Sequence, residues 1–83
     1  MLKEIADKLL KIYEEKNKKY GNSFHDLYED LGPISAITQI LHKSNRLKYL
    51  VKHGKIEEIK DTLIDLANYS MMTLKEIEDR ENR

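Results

Sequence analysis

Apolar residues recur at intervals of three and four along almost the whole sequence, and only three glycines and one proline interrupt them. This spacing is typical of amphipathic helices, and no useful stretch alternates as a half-buried strand does. The interruptions predict helices over about residues 2–19, 33–53 and 56–80, with a short helical segment over about 24–31. We therefore expect residues 1–83 to form a single all-α domain of three main helices plus a short helical segment.

The residues at these boundaries suit the turns that they would form. Gly21 or Asn22 can adopt the left-handed conformation that ends a helix. Ser23 is predicted to cap the short segment, because its hydroxyl can accept a backbone N–H of the first turn. Pro33 suits the first position of the next helix, where no amide partner is needed. Gly54 is predicted to follow the last turn of that helix.

The chain is short for a domain that must be stable alone, because 83 residues bury only a modest part of their surface. It has no cysteine, which excludes disulfides and thiolate metal sites. Residues 63–74 are apolar almost all round, which predicts that the last helix is buried on more than one side. A second chain is the natural cover, so we expect a homo-oligomer that resembles a four-helix bundle.

Composition argues against several classes of partner. The formal net charge is zero, whereas non-specific DNA or RNA binding needs a positive excess. No stretch approaches the roughly 20 apolar residues of a membrane span. The start of the sequence lacks the apolar run of a secretory signal. We expect a cytoplasmic protein that binds neither nucleic acid nor a membrane.

The charges are unevenly distributed. Residues 31–56 contain no Asp or Glu but carry five Lys or Arg residues and two histidines, and after residue 56 the balance turns acidic. One interpretation is charge complementarity between two packed helices. The other is a pocket in which cations meet an anionic ligand.

Candidate ligand groups occur in three places. Glu58, Asp61 and Asp65 are spaced by three and four, which puts three carboxylates on one helix face, where Mg²⁺ can bind. An exposed acidic face with one structural Asp gives the same pattern. The histidines have no metal-ligand spacing. No nucleophile–base pair for covalent catalysis is visible either.

The second group is Lys43, Asn45 and Arg46 in the second main helix. The planar fork of an Arg side chain suits phosphate or carboxylate. The alternative is that Arg46 pairs with Asp61 or Asp65 across the bundle.

The third group is the loop with Tyr20, Asn22 and Phe24. A helix that starts after a Gly-Asn turn offers free amides to an anion. A plain helix cap explains the same residues.

Three motifs together resemble a known family. They are Lys19-Tyr20-Gly21-Asn22-Ser23-Phe24, Lys43-x-Asn45-Arg46-Leu47-x-x-Leu50 and Asp61-Thr62-Leu63-Ile64-Asp65-Leu66-Ala67-Asn68-Tyr69. Their order is similar to that of the phage-associated nucleotide modification associated domain type 1 family, over about residues 19–72. That family looks distantly related to the MazG-like all-α nucleoside triphosphate pyrophosphohydrolases. Those enzymes resemble four-helix assemblies in which a Glu-Glu-x-x-Glu helix and a Glu-x-x-Asp helix hold Mg²⁺ against the triphosphate.

The resemblance implies a nucleotide ligand, but only one of the two motifs needed for hydrolysis is present. Glu58, Asp61 and Asn68 keep the second MazG-like motif. The helix that should carry the first motif has no carboxylate, and cationic and amide side chains stand in its place. Half of a Mg²⁺ site holds the metal poorly. A cationic helix still holds phosphates directly, so binding is favoured over catalysis.

We therefore expect a small nucleotide-binding protein in which Lys43, Asn45 and Arg46 hold a phosphorylated ligand. Three residues of the last helix would orient these cations or contact base and ribose: Asp65, Asn68 and Tyr69. Three residues of the loop would close the pocket: Tyr20, Asn22 and Phe24. Sequestration of a signalling nucleotide is the expected purpose, in the host cytoplasm if a phage encodes the protein.

Two alternatives stay open. One is a Mg²⁺-dependent MazG-like pyrophosphohydrolase that uses Glu58, Asp61 and Asp65 as metal ligands. The other is a structural or protein-interaction module. The sequence does not specify the nucleotide, the number of subunits, or whether the site lies within one chain or between chains.

Overall fold

The chain forms four helices in a computed structural model, which describes residues 1–83 except for the side chain of Tyr20. They are α1 (Leu2–Tyr20), α2 (Ser23–Leu31), α3 (Pro33–His53) and α4 (Ile56–Glu81). No strand occurs among the described residues. The predicted all-α class and the predicted helix boundaries are therefore confirmed to within a residue.

Glycine is required at all three helix junctions, for two reasons. Gly21 and Gly32 have φ angles of 65° and 77°, which side-chain-bearing residues rarely adopt. Gly54 has an ordinary φ of −96°. A Cβ atom at this position would lie 3.1 Å from the Cα atom of Leu50. Gly54 is thus needed for close approach to a buried leucine rather than for its backbone angles.

The prediction that Ser23 caps the second helix is wrong. Asn22 occupies the N-cap position, and its carbonyl accepts the N–H of Asp26 at 2.9 Å. The N–H of Gly21 bonds to Asn17 and closes α1 immediately before this turn. The connection is therefore so short that Ser23 is already the first helical residue, and no side chain caps α2.

Helices α3 and α4 form an antiparallel hairpin, because only two residues join them and they pack along each other. Helix α2 packs on α3, and α1 packs against α4. Among the described residues, only three apolar side chains are fully buried, namely Tyr28, Ala36 and Leu50. The single chain therefore has a small apolar core.

The inner face of α4 is largely polar. Its buried residues are Thr62, Asn68, Thr73 and Glu76. The two threonine hydroxyls donate to backbone carbonyls one turn earlier, so they need no other partner. Conversely, Leu63, Leu74 and other apolar residues of the same helix are exposed. The side of α4 that carries Leu63 and Leu74 is thus left uncovered by the other helices of the chain. None of the helices described combines the length and apolar character needed to cross a membrane.

Candidate functional site

A cavity of about 450 Å³ lies between α1, the start of α2 and the middle of α4, with one residue from α3. Small-molecule sites in proteins have volumes of roughly 300–1,000 Å³. Its wall combines aromatic and apolar side chains with a few polar groups: Tyr13, Lys16, Asn17, Gly21, Ser23, Phe24, Leu27, Gln39, Asp65, Asn68, Tyr69 and Met72. The cavity therefore has the size and mixed character of a ligand site.

Two lysines from different helices converge on the carboxylate of Asp65, which lines the cavity. Lys16 lines the cavity as well, whereas Lys43 does not. Lys16 of α1 donates to Asp65 Oδ1 at 2.8 Å, and Lys43 Nζ of α3 lies 3.2 Å from Asp65 Oδ2. Partial burial raises the pKa of Asp65, but hydrogen bonds from Lys16 and Lys43 outweigh it and hold the pKa below its usual value. Asp65 is therefore ionised at neutral pH, and the three side chains together carry a net positive charge.

The amide of Asn68 is buried at the cavity wall without a partner. The residue is 5% exposed, and neither Oδ1 nor Nδ2 has a hydrogen-bond partner. Buried polar groups in proteins nearly always have partners, and an unpaired one costs about 1–3 kcal/mol. Each of these atoms exposes less than 1 Å², so a polar ligand edge in the cavity would supply the missing donor and acceptor once the amide turns toward it.

An aromatic pair lines the cavity beside this amide. The rings of Phe24 and Tyr69 are stacked, with centroids 6.1 Å apart and planes inclined by 27°. Asn68 and Tyr69 both line the cavity, so its wall contains an amide as well as an aromatic face. Gln39 of α3 provides a second amide at the same wall. A flat heterocycle could pack on the ring and meet an amide with its edge.

A second cavity of about 290 Å³ adjoins the first and shares Tyr13, Phe24 and Met72 with it. Its polar wall includes Asn22 and Glu76. It therefore extends the first cavity toward the C-terminal part of α4.

The carboxylate of Glu76 is buried but fully engaged. His25 Nδ1 lies 2.6 Å from Oε1, and Arg80 Nη1 donates to Oε2 at 2.8 Å. Arg80 in turn lies over the ring of Tyr28 and pairs with Glu29 at 2.9 Å. Burial raises the pKa of Glu76, but the hydrogen bonds from Arg80 and His25 together lower it by more, so the pKa lies below its ordinary value. The Glu76 carboxylate is therefore satisfied within the chain, by partners from α2 and α4.

The structure places some of the predicted site residues in the walls of these two cavities. Phe24, Asp65, Asn68 and Tyr69 line the larger cavity, and Asn22 lines the adjoining one. The side chain of Tyr20 lies outside the described residues. Their roles toward a ligand stay predictions, but four of the proposed residues do share one cavity.

Asn45 and Arg46 are exposed and do not line either cavity. The alternative interpretation, in which Arg46 pairs with Asp61 or Asp65 of α4, is wrong. Arg46 is 48% exposed, and its guanidinium lies 3.9 Å from Glu58 instead. Lys43 pairs with Asp65, because it lies on the face of α3 that packs against α4, whereas Arg46 lies at the edge of that face.

The three candidate metal ligands have different environments. Glu58 accepts the backbone N–H of Lys55 and so caps α4, Asp61 is exposed, and Asp65 is held by lysines. Among the described residues, no group of three His, Asp or Glu side chains is placed to hold a metal ion. The Mg²⁺ assignment therefore stays a prediction that needs ligands from another chain.

Sequence reasoning did not assign Tyr13, Lys16, Asn17 or Gln39 to the site. A signal for Lys16 was present, since it follows Ile12 by four residues and so continues the apolar line of α1. A lysine on a core-facing line indicates a buried anionic partner. Its partner on α4 could not be read from the sequence.

Fold and cavity together define a small all-α domain with a ligand-sized pocket of cationic, amide and aromatic groups. The chain belongs to the family described as nucleotide modification associated domain 1, whose model matches residues 16–77. The resemblance carried by the three sequence motifs is thus confirmed. Every residue of the larger cavity except Tyr13 lies within the matched range. No curated protein and no solved structure matches the chain.

Proposed function

We propose that this protein binds a phosphorylated nucleotide-type ligand in the cavity between α1, α2 and α4. The observation that carries the proposal is the buried and unpartnered amide of Asn68 at the cavity wall. Its cost of about 1–3 kcal/mol is removed when a ligand supplies a donor and an acceptor. The family membership supports a nucleotide over other ligands of similar size.

Each part of a nucleotide has a matching group in the cavity. A base presents adjacent donors and acceptors at its edge, and the Asn68 amide offers one acceptor and two donor hydrogens. The ring of Phe24 or Tyr69 provides an apolar face for the base. Lys16 and Lys43 supply positive charge for a phosphate. Asp65 holds both ammonium groups in place before the ligand arrives, which limits the entropy lost on binding.

Binding without hydrolysis is the activity that we favour, and the sequestration of a signalling nucleotide is its expected purpose. Retention of a nucleotide needs cations, an amide and an apolar face, and the cavity has all three. Mg²⁺-assisted hydrolysis needs several oxygen ligands and a base. Glu58, Asp61 and Asp65 do not form such a group within the described chain. A second copy that brought acids to the cavity would instead favour a pyrophosphohydrolase.

We further propose that the protein works as a homo-oligomer that resembles a four-helix bundle. The support is the small apolar core of the single chain and the exposed apolar residues of α4. Oligomer mass is measured by light scattering, independently of any ligand.

A thermal-shift screen of mono-, tri- and cyclic nucleotides, with and without Mg²⁺, tests the ligand. A bound ligand at about 100- to 1,000-fold over its dissociation constant should stabilise the protein by roughly 2–4 kcal/mol. The bound nucleotide is then released by denaturation and analysed. Unchanged nucleotide supports binding alone, whereas pyrophosphate release supports the hydrolase. No shift with any nucleotide would contradict the proposal and leave a structural or protein-interaction module.

The cationic side of the cavity is tested by Lys16→Met, which keeps the aliphatic stem and removes the charge. One charge-assisted hydrogen bond is worth about 1.5–3 kcal/mol, so nucleotide affinity should fall roughly tenfold or more. Lys8→Met, an exposed lysine of the same helix, is the matched control. Equal losses in the two variants would indicate a long-range charge effect rather than contact at the cavity.

A further inference from the structure

A line of apolar residues on α4 is exposed although it belongs to the longest helix of the bundle. Leu63, Leu74 and Ile77 are 49%, 56% and 40% exposed. Together with the partly buried Leu66 and the exposed Ser70, they form what we call the α4 stripe. These five residues are spaced by three and four, so they lie on one side of the helix.

The total accessible area indicates what should cover such a surface. The chain exposes 6563 Å² at a mass of 9.8 kDa. A folded monomer of this mass is expected to expose about 5,200 Å². The excess of about 1,400 Å² is larger than the roughly 800 Å² that each partner contributes to a standard interface, but lies within the roughly 1,000–2,500 Å² per partner of obligate homodimers. One further copy of the chain, bound through an interface of that larger class, is enough to account for it.

The α4 stripe is symmetric about Ser70. Leu66 and Leu74 lie four residues on either side of it, and Leu63 and Ile77 lie seven residues on either side. A twofold interface joins the same surface of two copies, so residue i meets j and j meets i. Two α4 helices that cross antiparallel at Ser70 would therefore place Leu63 of one copy against Ile77 of the other, and Leu66 against Leu74.

The centre of the α4 stripe suits a close crossing. Ser70 is small, and its hydroxyl already donates to the carbonyl of Leu66 at 2.9 Å. Burial of this side chain against a second helix would leave no donor unpaired. A larger residue at the crossing point would hold the two helices apart.

Charge does not oppose the pairing. Between residues 62 and 74 the sole charged side chain is Asp65, and it pairs with lysines of α1 and α3. No ion is therefore stripped of water when the central part of the stripe is covered. The charge-free segment 33–42 of α3 lies toward the C-terminal end of α4, because the hairpin is antiparallel, and it adds exposed apolar residues there: Ile34, Ile37 and Leu41.

We propose that a second copy of this chain docks on the α4 stripe, with the two α4 helices antiparallel and the twofold axis at Ser70. The inference rests on the homo-oligomer part of the proposed function and is independent of the nucleotide. It assigns the surface, the relative direction of the helices and the contacts between the copies.

The absence of native cysteine makes cross-linking a direct test. Helices packed 8–10 Å apart bring Cα atoms at their crossing point to about 3.4–5.4 Å, which overlaps the range of about 4.4–6.8 Å for a disulfide. Ser70→Cys should therefore form a covalent dimer under mild oxidation. Glu78→Cys, an exposed position of the same helix off the stripe, should stay monomeric on a non-reducing gel. Equal cross-linking of the two variants would overturn the proposal.

The direction of the two helices is tested with a second pair of variants. In the antiparallel arrangement, two copies of residue 63 lie about 21 Å apart, so Leu63→Cys alone should not cross-link. The double variant with Leu63→Cys and Ile77→Cys should cross-link, because each cysteine then faces the other in the second copy. Efficient cross-linking of Leu63→Cys alone would indicate parallel helices and overturn the assigned geometry.

A charge on the α4 stripe tests the interface without oxidation. Leu74→Glu should halve the mass measured by light scattering, because the new carboxylate would be desolvated in the interface. Val51→Glu adds the same charge at an exposed apolar residue of α3 and should leave the mass unchanged. A monomeric parent chain would contradict the homo-oligomer itself. An oligomer that resists Leu74→Glu and fails to cross-link at Ser70 would place the interface elsewhere, while nucleotide binding is judged separately by the thermal shift.

Discussion

Two buried polar residues of α4 lie about two turns apart and differ in one respect. Asn68 and Glu76 are 5% and 6% exposed, so both are removed from water to the same extent. The carboxylate of Glu76 is engaged by His25 and Arg80. The amide of Asn68 has no partner at either polar atom. Burial is therefore the same, and only the satisfaction of hydrogen bonds distinguishes them.

The difference separates a structural group from a candidate ligand group. Partners within the chain offset the cost of burying Glu76, so it contributes to stability without any further molecule. The cost of burying Asn68 is not offset in the free chain. The unpaired amide lines the larger cavity of about 450 Å³, whereas Glu76, which lines the adjoining cavity, is already held by His25 of α2 and Arg80 of α4. An unpaired polar group at the wall of a cavity is expected to gain its missing hydrogen bonds when a ligand binds.

The first prediction removes the satisfied group. Glu76→Ala should lower the free energy of unfolding by about 1.5–3 kcal/mol, because it removes the charged acceptor that Arg80 and His25 both contact. The measurement is urea unfolding at fixed protein concentration and neutral pH. Glu78→Ala, an exposed carboxylate two residues away, is the control and should change stability by less than about 0.5 kcal/mol. A loss as small as that of the control would mean that Glu76 is not a structural anchor.

The second prediction removes the unsatisfied group, and the sign is opposite. Asn68→Leu should raise the free energy of unfolding of the ligand-free protein by about 1 kcal/mol, because an apolar side chain of similar size carries no unpaired donor or acceptor. In a domain of this size that corresponds to roughly 4–8 °C in Tm. The same variant should lose the nucleotide-induced thermal shift.

The matched control for this variant is Asn82→Leu, at a residue beyond the end of α4. It should change neither Tm nor the nucleotide-induced shift by a measurable amount. If Asn68→Leu destabilises the free protein, the amide has a partner in solution, and the comparison with Glu76 fails. If it stabilises the protein and keeps the nucleotide shift, the amide is unpaired but does not contact the ligand.

The helices could be predicted from the sequence because local chemistry decides them. The apolar spacing, Pro33 and the glycines at 21, 32 and 54 place every helix to within a residue. The cap at Ser23 was mispredicted because α1 extends to Tyr20 and leaves only two residues before α2, so Asn22 takes the N-cap position.

The site was predicted in part, and the errors have a common cause. Helical spacing brought Asp65, Asn68 and Tyr69 together correctly, since they lie within one turn of one helix. Choosing which cation of α3 meets Asp65 required the rotation of α3 about its own axis, and this placed Lys43 rather than Arg46 against α4. The contribution of Lys16 depends on how α1 crosses α4, which is likewise a tertiary property.

The smallest expected effect concerns pH. The pKa of Glu76 in the folded chain lies below its ordinary value of 4.5, and that of Asp65 lies below 3.8. Each carboxylate therefore binds fewer protons in the folded than in the unfolded chain, so its contribution to stability is present above these ordinary values. It decreases as pH falls through the lowered pKa. Urea unfolding should show a progressive loss of stability below about pH 4.5.

The two regions should then diverge in their response to acid. Glu76→Gln keeps the shape of the side chain and removes its charge, so it should be less stable than the parent at neutral pH. The gap should close as pH falls, because protonated Glu76 and Gln then carry the same charge. The gap between the parent and Asn68→Leu should stay constant over the same range, since an amide does not titrate. A pH-dependent gap for Asn68→Leu would show that its buried amide is coupled to the Lys16–Asp65–Lys43 cluster, and the contrast between an isolated amide and a satisfied carboxylate would no longer hold.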